Sequence, residues 1–395
     1  SVAGRLANKG YSKKVRRLIW WPAEFYQQFG PGKVLRDIWS LNSRQRALEY
    51  FLSRDRELTA FPPSVKEFHF YYRSDLLSRG PAEKVLNTRN LSALSVPFDG
   101  KPLEGPQDIS VGPTGIRAVA DTENHRVIII RGEDDFTVVG SPCYLARQGG
   151  RDCHDPDGDG PLELGDSQFD SPMGVTVGPD GRVFVADTWN SRIQVFDSGG
   201  RFIRKWGRFG STDGQLGDPY TLYGPRDLVL DLEGNLLVSD TGNKRIVRYS
   251  ATGEFLGQFG GYGQMPSQLD EPVGIAVSSS GAIFVADTWN RRIQLFEPDG
   301  EFSESRLVSG WQTVAVPFRP YLAADRGNHR IYASDPENQR LLVFDFDGQT
   351  QAEALLLIDA NSAPVAPTGL AIDESTRQLY LCDGENNRIL VADLP

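Results

Sequence analysis

The chain has 395 residues, 39% of them hydrophobic and 24% charged, and no stretch approaches the roughly 18 apolar residues of a bilayer-crossing helix. Its net charge of −10 is uneven: residues 1–90 hold 17 Lys and Arg against 8 Asp and Glu, whereas residues 91–395 hold 25 against 44. An acidic main domain repels phosphate backbones and is not expected to take nucleic acid as its general partner, while a basic head suits an anionic membrane surface or an acidic partner.

The chain opens at Ser1 without a signal peptide, so it is expected to be processed or to continue something longer. Residues 1–90 are aromatic-rich, with Trp20-Trp21-Pro-Ala-Glu and Glu67-Phe-His-Phe-Tyr-Tyr. The run from Asn42 to Leu52 has a polar cap followed by amphipathic spacing, which predicts a short helix, and Phe68–Tyr72 reads as a strand. The expectation is a small mixed α/β appendage. This region loosely resembles the soluble tail after the last transmembrane helix of some multi-spanning glycosyltransferases that use lipid-phosphate sugars. That resemblance implies an extracytoplasmic or membrane-associated location and an active site outside this chain.

From residue 91 onward the chain repeats itself. Six segments align on one pattern: Ala120-Asp-Thr-Glu-Asn-His-Arg, Ala186-Asp-Thr-Trp-Asn-Ser-Arg, Ser239-Asp-Thr-Gly-Asn-Lys-Arg, Ala286-Asp-Thr-Trp-Asn-Arg-Arg, Ser334-Asp-Pro-Glu-Asn-Gln-Arg and Cys382-Asp-Gly-Glu-Asn-Asn-Arg. Their aspartates, Asp121, Asp187, Asp240, Asp287, Asp335 and Asp383, set a period near 47 with insertions in the first half. Each unit holds four short alternating or apolar runs separated by turn residues, as in Gly174–Val177, Arg182–Asp187, Arg192–Phe196 and Phe202–Trp206. Four-stranded repeats of this length are propeller blades. The pattern resembles the NHL repeat, most closely in the second and fourth units, over roughly residues 100–395. It implies an all-β, six-bladed NHL propeller over residues 91–395. The sixth unit ends after its third strand, so Leu91–Phe98 is expected to supply the missing outer strand and close the ring.

Each repeat aspartate precedes an Asn by three residues and an Arg by five. The arginines are Arg126, Arg192, Arg245, Arg292, Arg340 and Arg388. Asn suits a left-handed turn position, and Arg can bridge to the carboxylate, so the set reads as repeated structure rather than a ring of ligands. Cys382, where other units carry Ala or Ser, reads as a small packing residue.

In such a blade the turn between the second and third strands shares a face with the inter-blade connections. The long loops near residues 141–171, 208–224 and 260–271 therefore gather beside the turns that hold Trp189 and Trp289. Exposed aromatics on loops mark both as candidate partner-binding residues for a protein or glycan. Within the first loop, Asp155, Asp157, Asp159, Glu163 and Asp166 fall at calcium-loop positions and form a candidate calcium site, while Cys143 and Cys153 form a candidate disulfide. Some propellers of this superfamily are metal-dependent lyases or lactonases whose ligands converge on the channel. Of the four histidines, His125 and His329 lie in repeat turns, His154 in the insertion and His69 outside the propeller, so an extracytoplasmic binding or scaffolding module is the main expectation and an enzyme the alternative.

Overall fold

The computed structural model describes residues 85–87, 91–96, 100–142, 165–212, 216–308, 311, 320–345, 353–356 and 365–394, all within the compact unit Arg79–Pro395. The predicted helix near residue 42, the strand Phe68–Tyr72, Cys143, Cys153, Asp155, Asp157, Asp159 and Glu163 lie outside the described residues.

Six antiparallel sheets are arranged as blades, and the strands of each are ordered from the innermost to the outermost. Blade 1 is Pro106–Val111, Arg117–Asp121, Arg126–Ile130 and Phe136–Val139. Blade 2 is Gly174–Val177, Val183–Asp187, Arg192–Phe196 and Phe202–Trp206. Blade 3 is Leu228–Leu230, Leu236–Asp240, Arg245–Tyr249 and Phe255–Gly260. Blade 4 is Pro272–Val277, Ile283–Asp287, Arg292–Phe296 and Phe302–Leu307. Blade 5 is Leu322–Asp325, Arg330–Asp335, Arg340–Asp345 and Glu353–Leu356. Blade 6 is Pro367–Asp373, Gln378–Asp383 and Arg388–Asp393, with Ser92–Ala93 as its outermost strand.

The chain ends therefore meet inside blade 6, where Ser92 pairs with Val391 and Ala93 with Leu390. The ordered pairing covers two residues of the predicted eight. Val85–Asn87, read from sequence as part of the appendage, lies parallel to Glu353–Leu356 and gives blade 5 a fifth strand. Asp166, the one described member of the proposed calcium set, pairs with Lys205 at 3.0 Å.

Strand alternation explains the assembly. In blade 1, Ala118, Ala120, Val127 and Ile129 pack with Phe169, Val175 and Val183 of blade 2 and its approach loop. The alternate residues Val119, Ile128 and Ile130 pack the other way, with Tyr380, Cys382 and Ile389 of blade 6. A two-residue side-chain period thus serves two neighbours at once, which is why these strands are apolar on both faces. Six apolar clusters result, one at each blade interface. Cys382 is fully buried in the cluster between blades 6 and 1.

Candidate functional site

The repeat motif works as a clasp. In all six blades the arginine Nε donates to the aspartate Oδ2 at 2.6–2.8 Å. The asparagine Nδ2 donates to the same carboxylate at 2.8–3.0 Å. In five blades Oδ1 also accepts a backbone N–H from 17 residues earlier, on the incoming inter-blade loop: Glu104, Asp170, Tyr223, Asp270 and Ala366. The arginine's other nitrogens reach that loop's carbonyls, as Arg192 does to Gly165 and Gln168, and Arg292 to Met265 and Gln268. In these five blades the clasp ties the second and third strands to the chain that enters the blade. Burial pushes the Asp187, Asp240 and Asp287 carboxyls up, and their Arg, Asn and backbone donors pull against that rise.

One detail differs from the sequence expectation. The left-handed residue is not the asparagine but the one after it: His125, Ser191, Lys244, Arg291, Gln339 and Asn387, with φ between 53° and 61°. In five blades the Asn instead closes a single 3₁₀ turn, which aims its amide back at the carboxylate.

The long loops are pinched at their necks by short parallel pairings. Ser141–Pro142 pairs with Gln168–Phe169, Arg208–Phe209 with Thr221–Leu222, and Tyr262 with Leu269. The second and third of these loops flank one turn, Thr241–Lys244 of blade 3. Asn243 donates to the Gly210 and Thr221 carbonyls on one side, and Gly261 N–H donates to the Lys244 carbonyl on the other. Four large apolar side chains stand out from these loops: Phe209 at 68% exposure, Met265 at 67%, Tyr262 at 55% and Leu216 at 48%. Phe209 is braced edge-on against Tyr223, with ring centroids 5.4 Å apart.

Trp189 and Trp289 occupy the same face but are half-buried rather than exposed. Trp189 lies beside Gly224 and beneath the Arg226 guanidinium, 5.8 Å from its ring centre. Trp289 is covered by the Lys244 ammonium, 6.0 Å from its ring centre, and its indole N–H finds no hydrogen-bond partner among the described residues. Lys244 in turn pairs with Glu271 and Asp270. Burial pushes the Asp270 carboxyl up to about 6, with Lys244 opposing and Glu271 reinforcing the rise.

Register alignment exposes a second constellation on the propeller axis. One position per innermost strand is structurally equivalent and carries Asp108, Gly174, Asp227, Gly274, Tyr321 and Gly369 in blade order. Glycines of the even blades let the next blade's backbone approach. A Cβ on Gly174 would lie 2.9 Å from Asp227 Cα, one on Gly274 2.7 Å from Tyr321 Cα, and one on Gly369 2.4 Å from Asp108 Cα. The carboxylates then tie blades together, Asp108 accepting Val175 N–H at 2.9 Å and Asp227 accepting Ile275 N–H at 2.8 Å. Tyr321 crosses the axis and donates its hydroxyl to the Met173 carbonyl on the opposite blade, at 3.0 Å. All three side chains are buried. Aligning the six sequences shows Asp in place of Gly at 108 and 227. It hides Tyr321, because Pro320 stands one residue before the axial position where the other blades place their proline two before.

The NHL-repeat family model matches residues 169–196 and 269–296, the clasps of blades 2 and 4 with their approach loops. Among curated proteins, Protein brain tumor of Drosophila melanogaster is 35% identical over 115 residues, which is 29% of this chain and 10% of that protein. The match therefore spans about a tenth of that relative's length. Among solved structures, a gluconolactonase of Xanthomonas campestris is similar over 74% of this chain and 88% of its own, at 16% identity and a TM-score of 0.50. Virginiamycin B lyase of Staphylococcus aureus is similar over 77% and 89%, at 13% identity and a TM-score of 0.49. The likeness to the gluconolactonase is one of fold. The chain is a six-bladed β-propeller that carries NHL repeats.

Proposed function

We propose that this propeller is a protein-binding module whose partner docks on the loop-rich face around blade 3. The observation that carries the reading is the exposure of Phe209, Leu216, Tyr262 and Met265 on two loops anchored to one turn. Solvent-facing apolar side chains held on pinned loops present area to bury at little ordering cost. Leu216 and Met265 offer no strong hydrogen-bonding groups to sugar hydroxyls, so the patch favours an apolar protein surface over a glycan. Burying Phe209 fully against a partner stabilises a complex by about 1.5–3 kcal/mol.

Site-specific photo-crosslinking tests this. A crosslinker at position 209 should capture a partner whose capture is lost on Met265→Glu. A crosslinker at Leu232, exposed in the turn between the first two strands of blade 3 on the opposite face, should not capture it. Equal capture from both faces, or capture indifferent to Met265→Glu, overturns the reading.

A further inference from the structure

The axial constellation is a conformational element distinct from the docking face, and its geometry holds two carboxyl groups away from water. Asp108 and Asp227 are buried, stand on blades 1 and 3, and each accepts two backbone N–H bonds: Ile109 and Val175 for the first, Leu228 and Ile275 for the second. Those bonds favour the charged carboxylate, whereas burial disfavours it, and each charge further disfavours the other. Among the described residues, the titratable or charged groups facing the pair are Tyr321 from blade 5 and Cys382 from blade 6, with Arg226 of blade 3 beside Tyr321 and Asp121 and Asp383 behind the thiol. Tyr321 spans from blade 5 to Met173 of blade 2, so anything that shifts the inner strands of blades 2 and 5 relative to each other strains a bond that crosses the ring.

We propose that Asp108, Asp227 and Tyr321 form a proton-held plug on the propeller axis, tight while at least one carboxyl of the pair is protonated and looser once both are charged. Desolvation is the chief cause of the upward shift of both carboxyls, and it carries Asp227 to about 7. A folded value raised above the unfolded one means that the stabilisation is fully present in acid and is lost as pH rises through the folded value. The plug therefore loosens across the neutral range. The strands to respond are those that donate to the carboxylates, Gly174–Val177 and Pro272–Val277.

Amide hydrogen exchange, corrected for the intrinsic pH dependence of exchange, is the test. In the wild-type chain, peptides over residues 173–177 and 272–277 should exchange at least about tenfold faster at pH 8.5 than at pH 5.5, the factor for one pK unit of linkage. Asp227→Asn, or Asp108→Asn should the first not fold, should abolish most of that excess. Tyr321→Phe should speed exchange over residues 173–177 at both pH values and leave the pH dependence in place. Equal wild-type protection at both pH values overturns the proposal, and so does an excess that survives both Asp→Asn variants.

Discussion

Arg245 Nε lies 2.8 Å from Asp240 Oδ2, and neither side chain reaches solvent. The same pair in blade 6, Arg388 with Asp383, has the same separation but leaves the arginine side chain 23% exposed. Equal geometry in unequal surroundings separates the cost of breaking a clasp from the clasp itself. Asp240→Ala strands a buried guanidinium and should cost about 3–5 kcal/mol. Asp383→Ala leaves an arginine that can turn toward water and should cost less than half of that. Urea denaturation of the two variants decides it, and equal midpoints would count against a desolvation origin.

Gly174 tests the axial packing without touching a charge. A Cβ there would lie 2.5 Å from the Arg226 carbonyl oxygen, a backbone atom that cannot turn aside. Gly174→Ala should therefore destabilise by about 1–3 kcal/mol through overpacking. Gly257, on the outer strand of blade 3, has open space around the same added atom. Gly257→Ala should stay within about 0.5 kcal/mol of wild type. Thermal melts of the two single variants supply the comparison.

The blade count and the clasp residues are legible in the sequence because they repeat: six copies of Asp-x-x-Asn-x-Arg with turn chemistry between apolar runs leave few architectures open. The asparagine's backbone is not legible in the same way. Its side chain donates to the clasp carboxylate from a tight turn, 3₁₀ in five of the six blades, and the left-handed step falls one residue later. Trp189 and Trp289 draw attention as aromatics on turns, yet Arg226 and Lys244 cover them, and those covers come from the neighbouring blade. Phe209 sits in the longer connection between blades 2 and 3, and Met265 stands at a register position that carries Gly165 and Asp218 in blades 2 and 3, so neither gives a periodic apolar signal. Tyr321 is hidden for a related reason: only strand pairing, not spacing from a proline, brings it level with Asp108 and Asp227.

Asp270 makes the loop-rich face around blade 3 sensitive to pH near 6. Burial raises its carboxyl to about 6, and the charge that appears above that pH faces Lys244, which lies over Trp289. As the folded value is the raised one, the stabilisation is present at low pH and fades as pH passes through about 6. Tryptophan emission should therefore titrate with a midpoint near 6, and Asp270→Asn should remove that step. Trp289→Phe should remove the signal while the stability change remains. An emission profile flat between pH 5 and 7 would refute the coupling.

The seam in blade 6 is fastened by a short segment. Ser92–Ala93 is only two residues long, yet the segment around it serves both flanks of the blade. Leu91 packs in the cluster between blades 5 and 6, and Val96 in the cluster between blades 6 and 1. Between them Leu94 donates its N–H to the Ile389 carbonyl at 2.9 Å. Leu94→Pro deletes that donor and leaves a carbonyl of a buried strand unsatisfied, a loss of about 1–3 kcal/mol. Leu91→Ala removes apolar volume from a closed interface and should cost about 2 kcal/mol or more. Leu256, half-exposed on the outer strand of blade 3, is the matched control, and its Ala variant should be near neutral. A ring fastened by this segment fails first at its seam. Limited proteolysis of Leu94→Pro should then cut within blade 6 before any other blade, while cutting that begins elsewhere, or a melt like that of wild type, would show that the ring holds without it.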